Sequence, residues 1–518
     1  MARYGFFDSI CREWRRPQPD LGMMMQVIRI GLGAVILLAS AFGASAADLP
    51  VKYKAPPPDP WSWSGLYGGV NAGYSFGRDT FDQAFAGGPQ VQVGPGRVLP
   101  TGGIFGGQLG YNWQVGRWVL GLEGDAQWSG QRDSGCGGFE CIQNFNAEVG
   151  AVRVRHELEW FTTARARLGL ANAGYLLYVT GGGAWAGIRE TATAQFDDSV
   201  ASSTVRNTVA GWVFGGGIEG RLWQNWTVKF EYLHLDFSPT TTTTRIATGA
   251  GLLPFDVTNT VNSHVTDNIV RVGLNYRLFN TQATAPLPVD PAANAWRWTG
   301  VYGGLNGGYG VGNTSFREFK YFDPAVAPQP GELTHYISSF APQKVSPQGA
   351  LGGGQLGYNW QTGHVVLGVE GDAQWSGQKD TACAMSCFTA GGPIETVSQR
   401  FNWLATVRGR LGYADRGYLL FVTAGGAWAE VEETDVFSGA AVYTSNFKQT
   451  KGGWVAGGGV EAWLFGNWTG KIEYLHFDLG SIDHTFATTD PGFPTMGTRS
   501  TVRNDVIRVG VNYKLGGG

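Results

Sequence analysis

Between Phe105 and Trp128 apolar and polar positions alternate with a period of two. Phe105, Gly107, Leu109, Tyr111 and Trp113 fall on one face, and Gly106, Gln108, Gly110 and Asn112 fall on the other. After Gln114-Val115-Gly116 the alternation resumes. Trp118, Leu120, Leu122, Ala126 and Trp128 then share a face opposite Glu123, Asp125 and Gln127. A period of two is that of a strand, and a short Gly-containing connection makes the pair a hairpin. The apolar face ends in aromatics while the other carries carboxylates. A soluble sheet has this form, and so does a barrel wall with lipid outside and a polar lumen inside.

The same alternation marks further strands. The first is Trp63–Gly77, with Leu66, Val70, Ala72 and Tyr74 on one face. The hairpin occupies 102–130. Strand four is His156–Leu170, with Leu158, Trp160, Ala164, Ala166 and Leu168 outward and Arg165 and Arg167 opposite. Tyr175–Ile188, Thr208–Leu222, Trp226–Phe237 and Val265–Phe279 complete a set of eight. Three connections are short turns. Four, including 78–101, 189–207 and 238–264, are long polar loops. Short turns on one side and long loops on the other are the outer-membrane barrel pattern.

The whole unit then repeats. Gly106–Gly130 returns as Gly353–Gly377 with four changes, and Trp298–Gly304 mirrors Trp63–Gly69. The offset between copies drifts from 235 to 247, so they differ in loop length. A period this long is a domain duplication, not a solenoid. The Pro-rich stretches 47–62 and 280–297 read as an exposed leader and a linker. The predicted fold is therefore all-β: two tandem eight-stranded antiparallel transmembrane β-barrels, 63–279 and 298–515. One sixteen-stranded barrel is the alternative.

Composition supports a membrane reading. Only 15% of the 518 residues are charged, against roughly 25% in soluble proteins. The net charge of −3 carries no preference for nucleic acid. At the start of the chain Arg29 precedes an apolar run, 30–42, and Ala44-Ser45-Ala46 supplies a signal-peptidase site. Residues 1–46 read as a signal-peptide region, with translation starting at Met1 or within Met23–Met25, and mature protein from Ala47. No later run reaches the length of a spanning helix. The expected location is the outer membrane of a Gram-negative cell.

Strand parity places Glu123, Asp125, Glu219 and Glu231 on the non-lipid face of the first copy, with Arg165, Arg167, Arg221, Lys229 and Arg271. The second copy has Glu370, Asp372, Glu461 and Glu473 with Arg408, Arg410, Lys471 and Arg508, and Trp463 replaces Arg221. An eight-stranded barrel has an interior just wide enough to be filled by side chains. Charges inside it must pair, because breaking a buried pair is costly. A lumen ion network is the expectation, with a narrow conducting pore as the alternative.

These features together resemble the outer-membrane β-barrel family of alphaproteobacterial outer-membrane immunogenic proteins, with an OmpA-like eight-stranded, porin-like barrel. The resemblance rests on the exported leader and the W-[ST]-G-x-Y-G-G openings at Trp63 and Trp298. It also rests on LGYNWQ, EGDAQWSG, EYLH and the R-V-G-x-N-Y segments at Arg271 and Arg508. It covers nearly all of 63–279 and 298–515. It implies an abundant surface antigen, with haem binding proposed for some relatives. Duplication departs from the usual single barrel.

Other candidate chemistry is sparse. Cys136 with Cys141, and Cys383 with Cys387, lie in equivalent loops, where export permits local disulfides. Free thiols and metal ligation are the alternatives. His234 and His476, repeated in EYLH, are near the lumen in this reading; a hydrogen-bonded wall role is favoured over titration or haem ligation. No cofactor and no metal are expected. No catalytic constellation is inferred, although lipid-modifying enzymes also occur on barrels. Expected partners are outer-membrane lipid and lipopolysaccharide and the barrel-assembly machinery, with no nucleic acid; any small-molecule ligand is unknown. The leading function is a structural, surface-exposed protein supporting envelope integrity. The alternatives are a porin-like small-solute channel, or loops binding a surface ligand such as haem.

Overall fold

The computed structural model describes residues 61–86, 91–136, 151–172, 174–196, 199–246, 257–278, 296–321, 343–385, 394–438, 442–486 and 495–515. All lie in one compact unit, 58–518. The first half holds β1 (Gly65–Ala86), β2 (Val91–Val98), β3 (Thr101–Val115), β4 (Trp118–Cys136) and β5 (Ala151–Ala171). It continues with β6 (Tyr175–Phe196), β7 (Ser199–Arg221), β8 (Trp226–Phe237), β9 (Thr240–Ile246) and β10 (Val257–Arg277). The second half holds β11 (Gly300–Tyr321), β12 (Gln343–Val345), β13 (Gln348–Thr362), β14 (Val365–Ser376) and β15 (Lys379–Met385). Its remaining strands are β16 (Ile394–Asp415), β17 (Tyr418–Ser438), β18 (Val442–Phe465), β19 (Trp468–Phe486) and β20 (Thr495–Leu515).

Each half closes on itself. In the first, β1 pairs with both β3 and β10, so eight long antiparallel strands form a ring, and β2 and β9 extend its rim. In the second, β11 pairs with β13 and β20 and closes an equivalent ring. Two eight-stranded barrels result, not one of sixteen strands. Closure leaves neither ring with an open sheet edge along the wall, the condition for crossing lipid with strands.

The outward positions form an apolar band. On the first barrel Trp113 and Trp118 stand exposed near the short turns, and Trp128, Trp160 and Trp185 stand exposed towards the long hairpins. Trp118 and Trp128 share one strand, and ten residues at ~3.3 Å, tilted by ~40°, span ~25 Å, the height of a lipid-facing band. Beyond this band outward charges begin, among them the Arg189–Glu159 pair at 2.5 Å.

The interior is filled in layers. Towards the long hairpins an apolar layer packs Phe161, Leu158, Leu233, Leu235, Phe237 and Ile269. At mid-height lie the charged side chains. At the short-turn end Trp61 and Trp63 pack with Val119, Leu176 and Tyr178. The second barrel repeats this with Phe401, Leu475 and Phe477 at one end and Trp298, Val366, Leu419 and Phe421 at the other.

Several expectations are corrected. The stretches read as loops, 78–101, 189–207 and 238–264, are largely strand: the wall runs well beyond the membrane band as long hairpins. Leu158 points inward, because register shifts at Trp128/Gln131 and Leu158/Trp160 reverse the parity of β5. The leader does not stay exposed to its end, since Trp61 and Ser62 are buried.

Candidate functional site

Mid-barrel register builds the charged layer. In the first barrel β4 and β5 set Glu123 opposite Arg165, β8 and β10 set Glu231 opposite Arg271, and β7 and β8 set Glu219 opposite Lys229. The side chains then reach across the lumen. Arg165 contacts Glu123, lies 2.9 Å from Asp125 and lies 3.1 Å from Glu231. Arg271 bridges Glu231 at 2.6 Å and Asp125 at 3.0 Å. Lys229 Nζ donates to Glu123 at 2.7 Å, and Arg167 pairs with Glu219 at 3.0 Å.

Neutral groups complete the shell. The hydroxyls of Tyr67 and Tyr178 donate to Glu123 and Glu231 at 2.7 and 2.9 Å. Thr227 and Asn275 donate to Glu219 at 2.5 and 3.0 Å. The Arg167 guanidinium lies 4.8 Å from the Tyr67 ring centre. No charged side chain of this network is more than 3% exposed.

Arg221 is placed elsewhere. It sits two residues nearer the short turn than Glu219, with its guanidinium 4.4 Å from the Trp61 ring; Arg277 lies 4.3 Å from the same ring. Without Arg221, four acids (Glu123, Asp125, Glu219, Glu231) face four bases (Arg165, Arg167, Lys229, Arg271), and the layer is neutral.

The second barrel repeats the network. Arg408 lies 2.5 Å from Glu370, 2.8 Å from Asp372 and 2.7 Å from Glu473. Arg508 pairs with Glu473 at 2.7 Å and Asp372 at 3.0 Å. Arg410 pairs with Glu461 at 2.8 Å, and Lys471 with Glu370 at 2.8 Å.

His234 and His476 do not face the lumen. They alternate with inward Leu233 and Leu475, so they sit on the outer face of the wall. His234 Nδ1 is 2.9 Å from Asn268, and His476 Nδ1 is 2.7 Å from Asp505, each ring beside Trp212 or Trp454. The Cys136 and Cys383 side chains, and all of Cys141 and Cys387, lie outside the described residues, as do 1–60. Among the described residues no group of three His, Cys, Asp or Glu could hold a metal, and no helix is long and apolar enough to cross a membrane.

Sequence reasoning missed the Trp61/Trp63 and Trp296/Trp298 caps, although both pairs stand at W-x-W spacing in copies of one motif. It also missed the tyrosines and amides that complete the network. Tyr67, Asn71, Ser75 and Asp79 do share one parity on β1, and that signal was available. Asp79 meets His156 above the membrane band, beyond the predicted strand end.

Comparison with known proteins settles the family. The model of the family described as "Outer membrane protein beta-barrel domain" matches twice, at residues 34–280 and 282–514. The chain belongs to this family. Among members of known description, the 31 kDa outer-membrane immunogenic protein of Brucella melitensis is 34% identical over 270 residues, 49% of this chain and 100% of that protein. The 25 kDa outer-membrane immunogenic protein of Brucella canis is 27% identical over 238 residues, 45% of this chain and 86% of that protein. The 22 kDa outer membrane protein of Rhizobium leguminosarum bv. viciae is 37% identical over 134 residues, 26% of this chain and 54% of that protein. The Brucella relatives thus align over about half of this tandem outer-membrane β-barrel protein.

Proposed function

We propose that this chain is a structural, surface-exposed protein of the outer membrane, and that its two barrels brace the envelope without conducting solute. The observation that supports this most is the filling of each lumen. A neutral, paired charged layer lies between packed layers at either end, one of them holding the buried Asp267 on Ser75 and Gln131 among apolar side chains, and Lys229 and Arg271 have no exposed side-chain surface. A water-filled pore needs a wider ring of strands than eight. In this reading the signal peptide is removed after Ala46, the barrel-assembly machinery inserts the chain, and lipopolysaccharide surrounds the outer leaflet band.

Deleting the chain from its native host tests this. The deletion strain is expected to become sensitive to detergent and osmotic shock, with small-solute uptake unchanged, and the full chain should restore resistance. Slowed uptake with an intact permeability barrier would point to the channel alternative instead.

A further inference from the structure

The two barrels meet along their outer walls, and the contact has an internal symmetry. At the short-turn end the Tyr175 hydroxyl donates to the Trp463 carbonyl at 2.5 Å, and the Tyr418 hydroxyl donates to the Arg221 carbonyl at 2.7 Å. Tyr175 and Tyr418 are equivalent residues of the two copies, and so are Arg221 and Trp463. At the opposite end Arg97 of the first barrel contacts Asp380 of the second, while Lys344 of the second contacts Asp133 of the first. Arg97 and Lys344 are equivalent, as are Asp133 and Asp380. At both ends residue i of one copy meets residue j of the other, and j meets i. That exchange is the signature of an isologous, two-fold interface.

Between these ends the contact is apolar. Ile218 and Phe230 with Val460 and Ile472, Val270 with Ile507, and Leu177 with Leu420 join one cluster from matching positions. Phe76 stacks on Tyr474 at 6.0 Å. Gly220 leaves room for the Tyr418 ring, which a Cβ there would meet at 2.8 Å. Close approach at small residues and hydrogen bonds to backbone are how barrels or helices associate where lipid competes equally for apolar surface. The linker does not impose this geometry. Its 18 residues (280–297) can span up to ~60 Å, so they raise the local concentration of one barrel near the other without choosing faces.

We propose that this wall is a dimerisation surface whose partner is the other copy, so that the chain is a covalently fused two-fold dimer held by the face and not by the tether. The rim charges fix its register, because each copy brings cation and anion there: Arg97, with Arg78 at 3.9 Å, meets Asp380, and Lys344 meets Asp133. Wrong registers bring like charges together.

The test uses the full chain with a protease site inserted in 280–297 and an affinity tag on the second half. After cleavage in membranes and extraction in mild detergent, the untagged first half is expected to co-purify with the second. Asp133→Arg with Asp380→Arg turns both rim pairs into like charges and is expected to cut co-purification roughly tenfold or more. Adding Arg78→Asp, Arg97→Asp and Lys344→Asp reverses every rim contact and is expected to restore it. Heat-modifiable migration of each fragment reports that both barrels remain folded in every variant. Separation of folded wild-type halves on cleavage would overturn the proposal. So would reversed-charge halves that stay together, or a charge swap that fails to restore association.

Discussion

At the residue scale Glu123, Asp125 and Glu231 are each held by two or more cations, and Glu219 by Arg167 with Thr227 and Asn275. Glu123 is touched by Arg165 and Lys229 and receives the Tyr67 hydroxyl. Glu123→Ala removes one charge from a neutral, buried layer and leaves Lys229 with only Glu231 at 3.6 Å. Breaking such a buried pair costs roughly 3–5 kcal/mol. The heat-modifiability midpoint of the first barrel should fall accordingly, whereas a midpoint within error of wild type would show that the layer is not an energetic unit. A second residue effect lies above the membrane band. His156 contacts Asp79, lies 3.8 Å from Glu190 and stacks on Phe81 at 5.4 Å. Burial opposes its charged form, but Asp79, then Glu190 and Asp133, outweigh burial and raise it above the ordinary 6.5. A raised histidine contributes stability that is full below pH 6.5 and lost as pH rises through its folded value. Burial also pushes Glu190 up, with the same sign. The second barrel has Thr314 and Gln399 in place of Asp79 and His156, joined by a 2.7 Å hydrogen bond, and so provides an internal control. The first barrel's midpoint should decline as pH rises above 6.5, and His156→Gln should flatten that decline. Parallel pH curves for the two proteins would contradict the assignment.

At the element scale the alternation of apolar and polar residues made the wall legible, because each strand has one lipid face and one lumen face. Parity alone put Glu123, Arg165, Glu231 and Arg271 on one side, and the register between strands brought them together. What parity could not give was any position past an irregularity. The shifts at Trp128/Gln131 and Leu158/Trp160 leave no mark in the period, so the period alone puts Leu158 on the lipid face, whereas it packs in the core. The polar, Thr-rich hairpin extensions look like loops in the sequence for a different reason. Outside the bilayer a strand need not show an apolar face, and its hydrogen bonds alone define it. Close packing between strands has a glycine signature. A Cβ on Gly110 would meet the Tyr67 hydroxyl at 2.2 Å, and one on Gly357 would meet that of Tyr302 at 2.3 Å. Gly110→Ala therefore displaces the tyrosine that donates to Glu123 and should cost about 1–3 kcal/mol. Combined with Tyr67→Leu the cost should be clearly less than additive. Additive losses in the unfolding midpoints would separate the glycine from the network.

At the scale of the whole molecule, duplication produced two closed rings, each with its own filled interior. The 18-residue linker hinted at this, since a continuous sixteen-stranded wall needs only another short turn there. The Trp61/Trp63 and Trp296/Trp298 caps were not foreseen, because a Pro-rich leader carries no periodicity to say where it packs. The caps, the charged layer and the apolar layer act in series, so conduction requires all three to open in one barrel. The most direct test is a planar-bilayer recording of refolded residues 47–518. The account predicts no sustained open-channel steps from wild type across neutral pH. Stable, voltage-tolerant steps of porin size, unchanged when Trp61 and Trp296 are both replaced by Ala, would contradict it.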